Sequence, residues 1–506
     1  MNPLAWKQCA PRLAMTLVAI AVLLTAVGCG DSVHIVPING NFSDASLKGQ
    51  YAFTLRGIGT PDNINSFYFV EAGVFTADGN GNLTAVTDDF VQDFQSFSDN
   101  ITGVYRINKD GTGDVQFNFS NGLFTQFRIT LSDDSHFYME EDDGFATSGG
   151  SGEMQNAASF ASVPSGTFVS QTHDLVQGSS KVGILTFNAG QITGTEDVLI
   201  GGALSTGVNI TGSATAPNTT SGRGTMTITD STGTSTYDYY VVSAGKLRFL
   251  NTTATASLAI GQAEAQTGSG FSAASLNGTY VFGSSGESTN VDGVHSVGMF
   301  AADGAGNITT GTFDTVQDGN PVTNISLNSG SAYSVDSAGR AVVTLNLSSG
   351  ITNEKVMWLV SSSRAYFLVN DPVNVEDGTL DKQTGSGFSD SSMNGQYAFV
   401  MDGFDANQQL PYRDRVGTWI PNGSGSVTTN YVASGFLPSS PPLGSSTLNN
   451  GFSGTYAIDA SGRATANVNG LSSGLILYLV SNNSGYMLQA DTGVDIGGAF
   501  TVQTGP

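Results

Sequence analysis

The sequence predicts an all-β protein of four tandem antiparallel domains, each of about eight strands closed as an up-and-down barrel, with a β-sandwich as the alternative. Three observations predict this. First, a stretch typified by residues 271–314 (FSAASLNGTYVFGSSGESTNVDGVHSVGMFAADGAGNITTGTFD) occurs in four versions, opening at Phe42, Phe160, Phe271 and Phe388. The openings are 118, 111 and 117 residues apart, the length of a small domain and far beyond the roughly 20–50 residues of a solenoid repeat, so each unit should bury its own core. Second, apolar residues alternate with a period of two: Tyr51, Phe53 and Leu55 with Ala52 and Thr54, and Val115, Phe117 and Phe119 with Gln116 and Asn118. Third, turns rich in Gly, Asp and Asn recur about every 10–15 residues, as in a β-meander.

The chain opens with Lys7 and Arg12, followed by an apolar run from Leu13 to Val27 that is too short to span a bilayer comfortably. Residues 1–28 therefore read as an export signal. It ends Thr25-Ala26-Val27-Gly28-Cys29, which resembles the lipobox of bacterial lipoproteins, with Ala26 where Leu is commonest. The resemblance implies cleavage before Cys29 and acylation of its thiol. The remaining cysteine, Cys9, lies inside the signal, so the exported chain can form no intrachain disulfide, and acylation would protect a lone thiol in an oxidising compartment. A lipid there holds a protein to a membrane surface without spanning it. Residues 29–41 form a tether with Pro37 and no periodic pattern.

Four units follow, at 42–155, 160–266, 271–383 and 388–503. Each closes on a glutamine (Gln155, Gln266, Gln383, Gln503) five residues after a glycine, and the joints are only NAAS, TGSG and TGSG. In the third unit strands are expected near 277–283, 294–302, 307–314, 323–335, 340–347, 354–361, 364–370 and 377–383. An even number of antiparallel strands returns the chain to its starting end, and closure removes exposed edges. The second unit is divergent, with a shorter first turn at Asn188-Ala189-Gly190 and a polar stretch from Ala214 to Gly224. Joints of Gly, Ser and Thr offer little apolar surface, so the units are expected as beads in a row.

Without the signal the chain carries 16 bases against 42 acids, a net of −26, which excludes nucleic acid as a partner and favours solubility. No catalytic, cofactor or metal residue is assigned. Asp78-Gly-Asn-Gly-Asn82 spaces oxygens like a calcium loop, but Asp303-Gly-Ala-Gly-Asn307 and Asn422-Gly-Ser-Gly-Ser426 keep the glycines and lose the oxygens, as a positive-φ turn would. The Gly-x-Gly pairs open no helix, and Ser243-Ala-Gly-Lys246 lies in a turn. Acids end the third strand in three units (Asp89, Glu196 with Asp197, Asp314), and an arginine follows the second conspicuous turn in three (Arg223, Arg340, Arg463). Rim ion pairs at hairpin ends are the expectation. Glu140-Glu141-Asp142-Asp143 reads as a solvated face, and His34, His136, His173 and His295 share no recurring position.

Gly278-Thr-Tyr280, Ala302-Asp-Gly304 and Ile308-Thr-Thr-Gly-Thr-Phe-Asp314 resemble the first hairpins of avidin-type barrels over about 40 residues of one unit. That implies barrel geometry but not biotin, since avidin-type cages need several tryptophans and here Trp358 and Trp419 fall in different units. The whole chain resembles the tandem β-repeat surface lipoproteins of environmental bacteria. The function expected is a non-enzymatic, lipid-anchored envelope protein, a stalk or adhesion-like array, held to the membrane by Cys29 and open to envelope or extracellular polymer. The alternative is a lipocalin- or avidin-like carrier of a small molecule. Large residues for the barrel interiors (Tyr51, Phe53, Phe75, Tyr105, Phe117 and Phe127; Tyr280, Phe282, Tyr333, Trp358 and Phe367) favour filled barrels.

Overall fold

The computed structural model describes residues 40–505 except 60–66, 93–94, 121, 144–145, 175–177, 254–256, 289–292, 405–411, 436–446 and 470. Cys29 and His34 lie outside the described residues. Strands Lys48–Gly59, Phe67–Asp78, Asn82–Gln92, Gln95–Ile107, Thr112–Asn118, Phe124–Leu131, His136–Glu141 and Ala146–Met154 form a closed up-and-down barrel, the first strand pairing with both the second and the last. The second unit closes in the same way from Gly166–Asp174 to Ala259–Ala265, and the fourth from Tyr397–Phe404 to Asp495–Val502.

The third unit, from Asn277–Ser288 to Asn374–Lys382, is a nine-stranded sheet because its fourth strand is broken into Asn320–Ser326 and Ala332–Val335. The sequence pattern gives one strand there. Asn324 carries a positive φ of 58° and donates its N–H to Asp314 Oδ1 at 2.6 Å, which takes the chain out of register. Bonds from Asn328 N to Asn346 O (2.7 Å) and Ser348 N to Ser326 O (2.8 Å) span the gap.

The first turns form as the glycines require. Gly79 and Gly81 have φ of 82° and 93°, while Asp78 Oδ1 accepts the N–H groups of Asn80 and Asn82 at 2.7 and 3.1 Å. The carboxylate is therefore engaged with its own turn. Every unit has its own apolar core, and all the interior residues named above belong to these cores except Trp358. Its neighbours Met357 and Leu359 point inward, so the period of two turns Trp358 outward against the second unit.

The expected row of beads is replaced by a ring. The side-chain amide of each closing glutamine reaches two carbonyls of the next unit: Gln155 those of Ser221 and Val241, Gln266 those of Ala338 and Leu359, Gln383 those of Ser461 and Leu479. Gln503, the last, reaches Asp110 O (2.9 Å) and Leu131 O (2.6 Å) of the first unit. The acids and arginines of the hairpin ends also pair between units. Arg223 donates to Asp89 (2.5 and 3.0 Å), Arg340 to Asp197 (3.1 and 2.8 Å) and Arg463 to Asp314 (2.8 and 2.7 Å). An aromatic donor completes each clasp: Tyr240 to Asp89, Trp358 to Asp197 (2.9 Å) and Tyr478 to Asp314. All three carboxylates are buried, so these are interface anchors rather than the rim pairs expected from sequence.

Apolar clusters accompany the clasps: Ala52, Val70 and Val74 with Tyr240 and Leu250; Val169 and Leu199 with Trp358 and Leu368; Val281 and Val297 with Ile476 and Leu488. The interface between the fourth and first units differs. At the clasp positions the sheet register places Val432, Thr112 and Thr130, and a cavity of about 230 Å3 lies among them.

Two outcomes follow from this architecture. Small-angle scattering on the exported chain should give a radius of gyration of about 23 Å, against roughly 36 Å for four beads in a row; a value near the latter would exclude the ring. Asp314→Ala removes the acceptor of both Arg463 and Tyr478 and leaves a half-buried guanidinium unpaired, so chemical denaturation should show a loss of about 3 kcal/mol.

Candidate functional site

The first strand of each barrel turns its outward face to the ring axis, and four equivalent residues meet there. Each stands seven positions after the glycine that opens its unit: Arg56 after Gly49, His173 after Gly166, Ser285 after Gly278 and Asp402 after Gly395. A cation, an imidazole, a hydroxyl and a carboxylate thus share one layer. Arg56 Nη2 donates to Asp402 Oδ2 at 3.0 Å and to Ser285 Oγ at 3.1 Å, so one side chain joins three of the barrels.

The neighbouring strands supply the rest of the layer. Ser285 is flanked in register by His295 and Asp377, His173 by Ser180, and Asp402 by Asp414 and Gly497. Asp377 Oδ1 is bonded by His173 Nδ1 at 2.5 Å and by Ser180 Oγ at 2.8 Å, while Gln171 donates to its other oxygen. Burial pushes the Asp377 carboxyl up, but the charges and hydrogen bonds of His173, with Arg56 and Ser180, outweigh it and leave it below the usual carboxylate range. Serine, histidine and aspartate are together, yet both oxygens bond the same ring nitrogen, Nδ1. A nucleophilic triad needs its serine on Nε2, so this grouping does not have the geometry of such a triad.

His295 is 3% exposed, and neither ring nitrogen has a hydrogen-bond partner among the described residues. Burial lowers its pKa to about 4, so the ring is neutral at physiological pH. It lies against strand backbone, where a Cβ at Gly497 would stand 2.5 Å from the ring, so glycine there is what admits the imidazole. Glu287, one turn of the pleat beyond Ser285, is pushed up to about 7 by burial, partly offset by His173 and Arg56.

Open space surrounds this layer. A cavity of about 330 Å3 is walled by Arg56, Tyr138 and Ser151 of the first unit, Gln171, His173 and Arg248 of the second, Asp377 of the third, and Val400 and Asp402 of the fourth. A second, of about 260 Å3, contains His295, Ser285 and Tyr486 and shares Gln171, Asp377, Val400 and Asp402 with the first. These cavities lie between barrels, whereas the barrel interiors are largely occupied by side chains, including Lys355 over the rings of Phe282 and Phe367 at 4.3 and 4.6 Å; the second barrel keeps a cavity of about 220 Å3 at one end, among Lys181, Tyr237 and Asn251. Among the described residues no group of His, Cys, Asp and Glu is arranged to hold a metal ion.

Two readings of the sequence are corrected at this site. His173 and His295 belong to one inter-unit site, which the ring makes possible; His136 stays exposed beside Asp133. The run Glu140–Asp143 is not a solvated face. Glu140 and Glu141 are fully buried, the latter within the first barrel's sheet, and Asp142 bonds Arg128. Glu140 faces Asp414 across the junction of the first and fourth units; burial and then repulsion from Asp414 raise the Glu140 carboxyl well above the usual range, and burial and then repulsion from Asp402 raise that of Asp414. Thr147 and Ser434 meet there, with Thr147 Oγ1 donating to Asp414 Oδ2 at 2.8 Å.

No family model matches the chain, and no curated protein matches it. A search of solved structures finds the vaccine antigen transferrin binding protein B (TbpB), a Tyr-167-Ala and Trp-176-Ala double mutant from Haemophilus parasuis Hp5, at 10% identity over 73% of this chain and 83% of that one. The TM-score is 0.14, so the match carries no argument about fold or activity.

The buried acids at the junction give a pH dependence of defined sign. The folded chain keeps the Glu140 proton that the unfolded chain releases near its ordinary value of 4.5, so the residue's contribution to stability falls as pH rises above that value. Glu140→Gln should melt higher than wild type at neutral pH, with a gain that shrinks toward pH 4; an equal difference at both pH values would contradict the assignment.

Proposed function

We propose that the chain is a non-enzymatic, lipid-anchored cell-envelope protein whose four barrels form one rigid ring that works by binding rather than by catalysis. The observation that carries the anchoring is the apolar run Leu13–Val27 ending in Gly28-Cys29, in a chain whose exported part contains no other cysteine. With residues 30–41 as the tether, the ring would be held beside the membrane from a single point. The stalk form of the reading gives way to a compact body, because a closed ring does not extend with the number of units.

The adhesion-like form gains support from the sheet topology. The loops joining first to second strands of the four units carry unlike sequences, TPDNINS at 60–66 and DANQQLP at 405–411 among them. The strand ends that carry these two loops approach each other, with Ile58, Tyr68 and Phe404 in one cluster. Connections of unlike sequence between strand ends that gather about one axis are what recognition of an envelope or extracellular polymer would draw on. The acidic surface would keep nucleic acid away.

Cys29→Ser tests the anchor. The variant should leave the membrane fraction and the wild type should carry acyl mass on its N-terminal peptide; a variant that stays membrane-bound beside an unmodified wild type would refute the proposal.

A further inference from the structure

We propose that the hub of the ring is a binding site for one neutral, polyhydroxylated small molecule of monosaccharide size, contacted by all four barrels. This does not rest on the anchoring at Cys29. The main hub cavity, about 330 Å3, falls within the range of small-molecule sites, roughly 300–1,000 Å3. It is the four-barrel counterpart of the carrier reading, with the ligand moved from the barrel interiors to the space they enclose.

The wall chemistry selects the ligand class. Its arginines are paired, Arg56 with Asp402 at 3.0 Å and Arg248 with Glu153 at 2.6 Å, and its remaining carboxylate, Asp377, is hydrogen-bonded by His173 at 2.5 Å and Ser180 at 2.8 Å. An ionic ligand would have to break one of these pairs or bring an uncompensated charge into a partly dry site, and either is expensive. An anion would also enter against a formal net charge of −24. Hydroxyl groups can add a donor or an acceptor beside each pair without displacing it.

His295 supplies the observation that points to a missing partner. Its neutral imidazole has one donor and one acceptor, both unsatisfied and both buried at the wall of the adjoining cavity. A hydroxyl can serve either nitrogen, and native folds rarely leave such atoms orphaned. Between the polar groups, the backbones of Gly149, Gly150 and Gly261 and the side chains of Val400 and Ile260 give the cavity apolar stretches that would suit the C–H face of a sugar ring.

The test is calorimetric titration and thermal melting of the full chain with glucose, galactose, mannose and N-acetylglucosamine, with inorganic phosphate and methylammonium as charged probes. At least one sugar should bind and raise the melting midpoint by about 2 °C or more near saturation, while the charged probes do nothing. Val400→Phe fills both cavities, and Arg56→Gln with Asp402→Asn removes the central pair while keeping its shape. Each variant, once its own cooperative melt shows that it folds, should lose at least about tenfold in sugar affinity. Absence of binding by all four sugars, binding of a charged probe in their place, or unchanged affinity in folded Val400→Phe would each overturn the proposal.

Discussion

The structure depends on one constraint: the first strand of every barrel is covered on both faces. A free-standing barrel packs alternate residues inward and gives the others to water. Here the outward residues Ala52, Val169, Val281 and Ala398 are as buried as their inward neighbours, because the next barrel lies against them. Small outward side chains let two sheets approach, and the clasps of aspartate, arginine and an aromatic donor fix the angle. Breaking a buried pair costs far more than a surface pair contributes, so each clasp resists sliding of one barrel over the next.

Much of the barrel was legible in the sequence, since it is a local and repetitive matter. Turn glycines, alternation such as Val115, Phe117 and Phe119, and the recurrence of Phe42, Phe160, Phe271 and Phe388 report strands and units directly. The exception in the third unit is the break after Ser326, where Gly330 takes a positive φ of 86° and Asn328 N bonds Asn346 O, a contact between strands that no single-strand pattern encodes. The burial of Glu140 was hidden for a related reason. A run of four acids looks solvated, but successive residues of a strand point to opposite faces, and both faces here meet protein.

The ring and its hub were written in the sequence in a form that reading one unit at a time cannot recover. Arg56, His173, Ser285 and Asp402 share an offset of seven from the opening glycine, yet they differ chemically, so nothing recurs for the eye to catch. Comparing the units column by column exposes a position where spacing is kept and identity is not. A structural requirement common to all four barrels would favour one residue type, as it does for the closing glutamines. Four complementary types at one column are what an asymmetric site built from repeated parts needs.

The same comparison explains why the junction of the fourth and first units can be the polar one. Once three interfaces fix the turn from each barrel to the next, the fourth barrel arrives beside the first with its position already determined. Little further ordering entropy opposes that contact, and groups held close by an intact chain associate at high effective concentration. The Arg56–Asp402 pair, the Gln503 amide and a few hydroxyl contacts then suffice, without the clasp of the other three interfaces. The seam can therefore tolerate the buried carboxyls of Glu140 and Asp414, which would be ruinous if that interface had to assemble from separate pieces. Since Asp414 is also in register with Asp402, the buried carboxyls of this junction adjoin the hub layer, and their charge bears directly on the axial pair of Arg56 and Asp402.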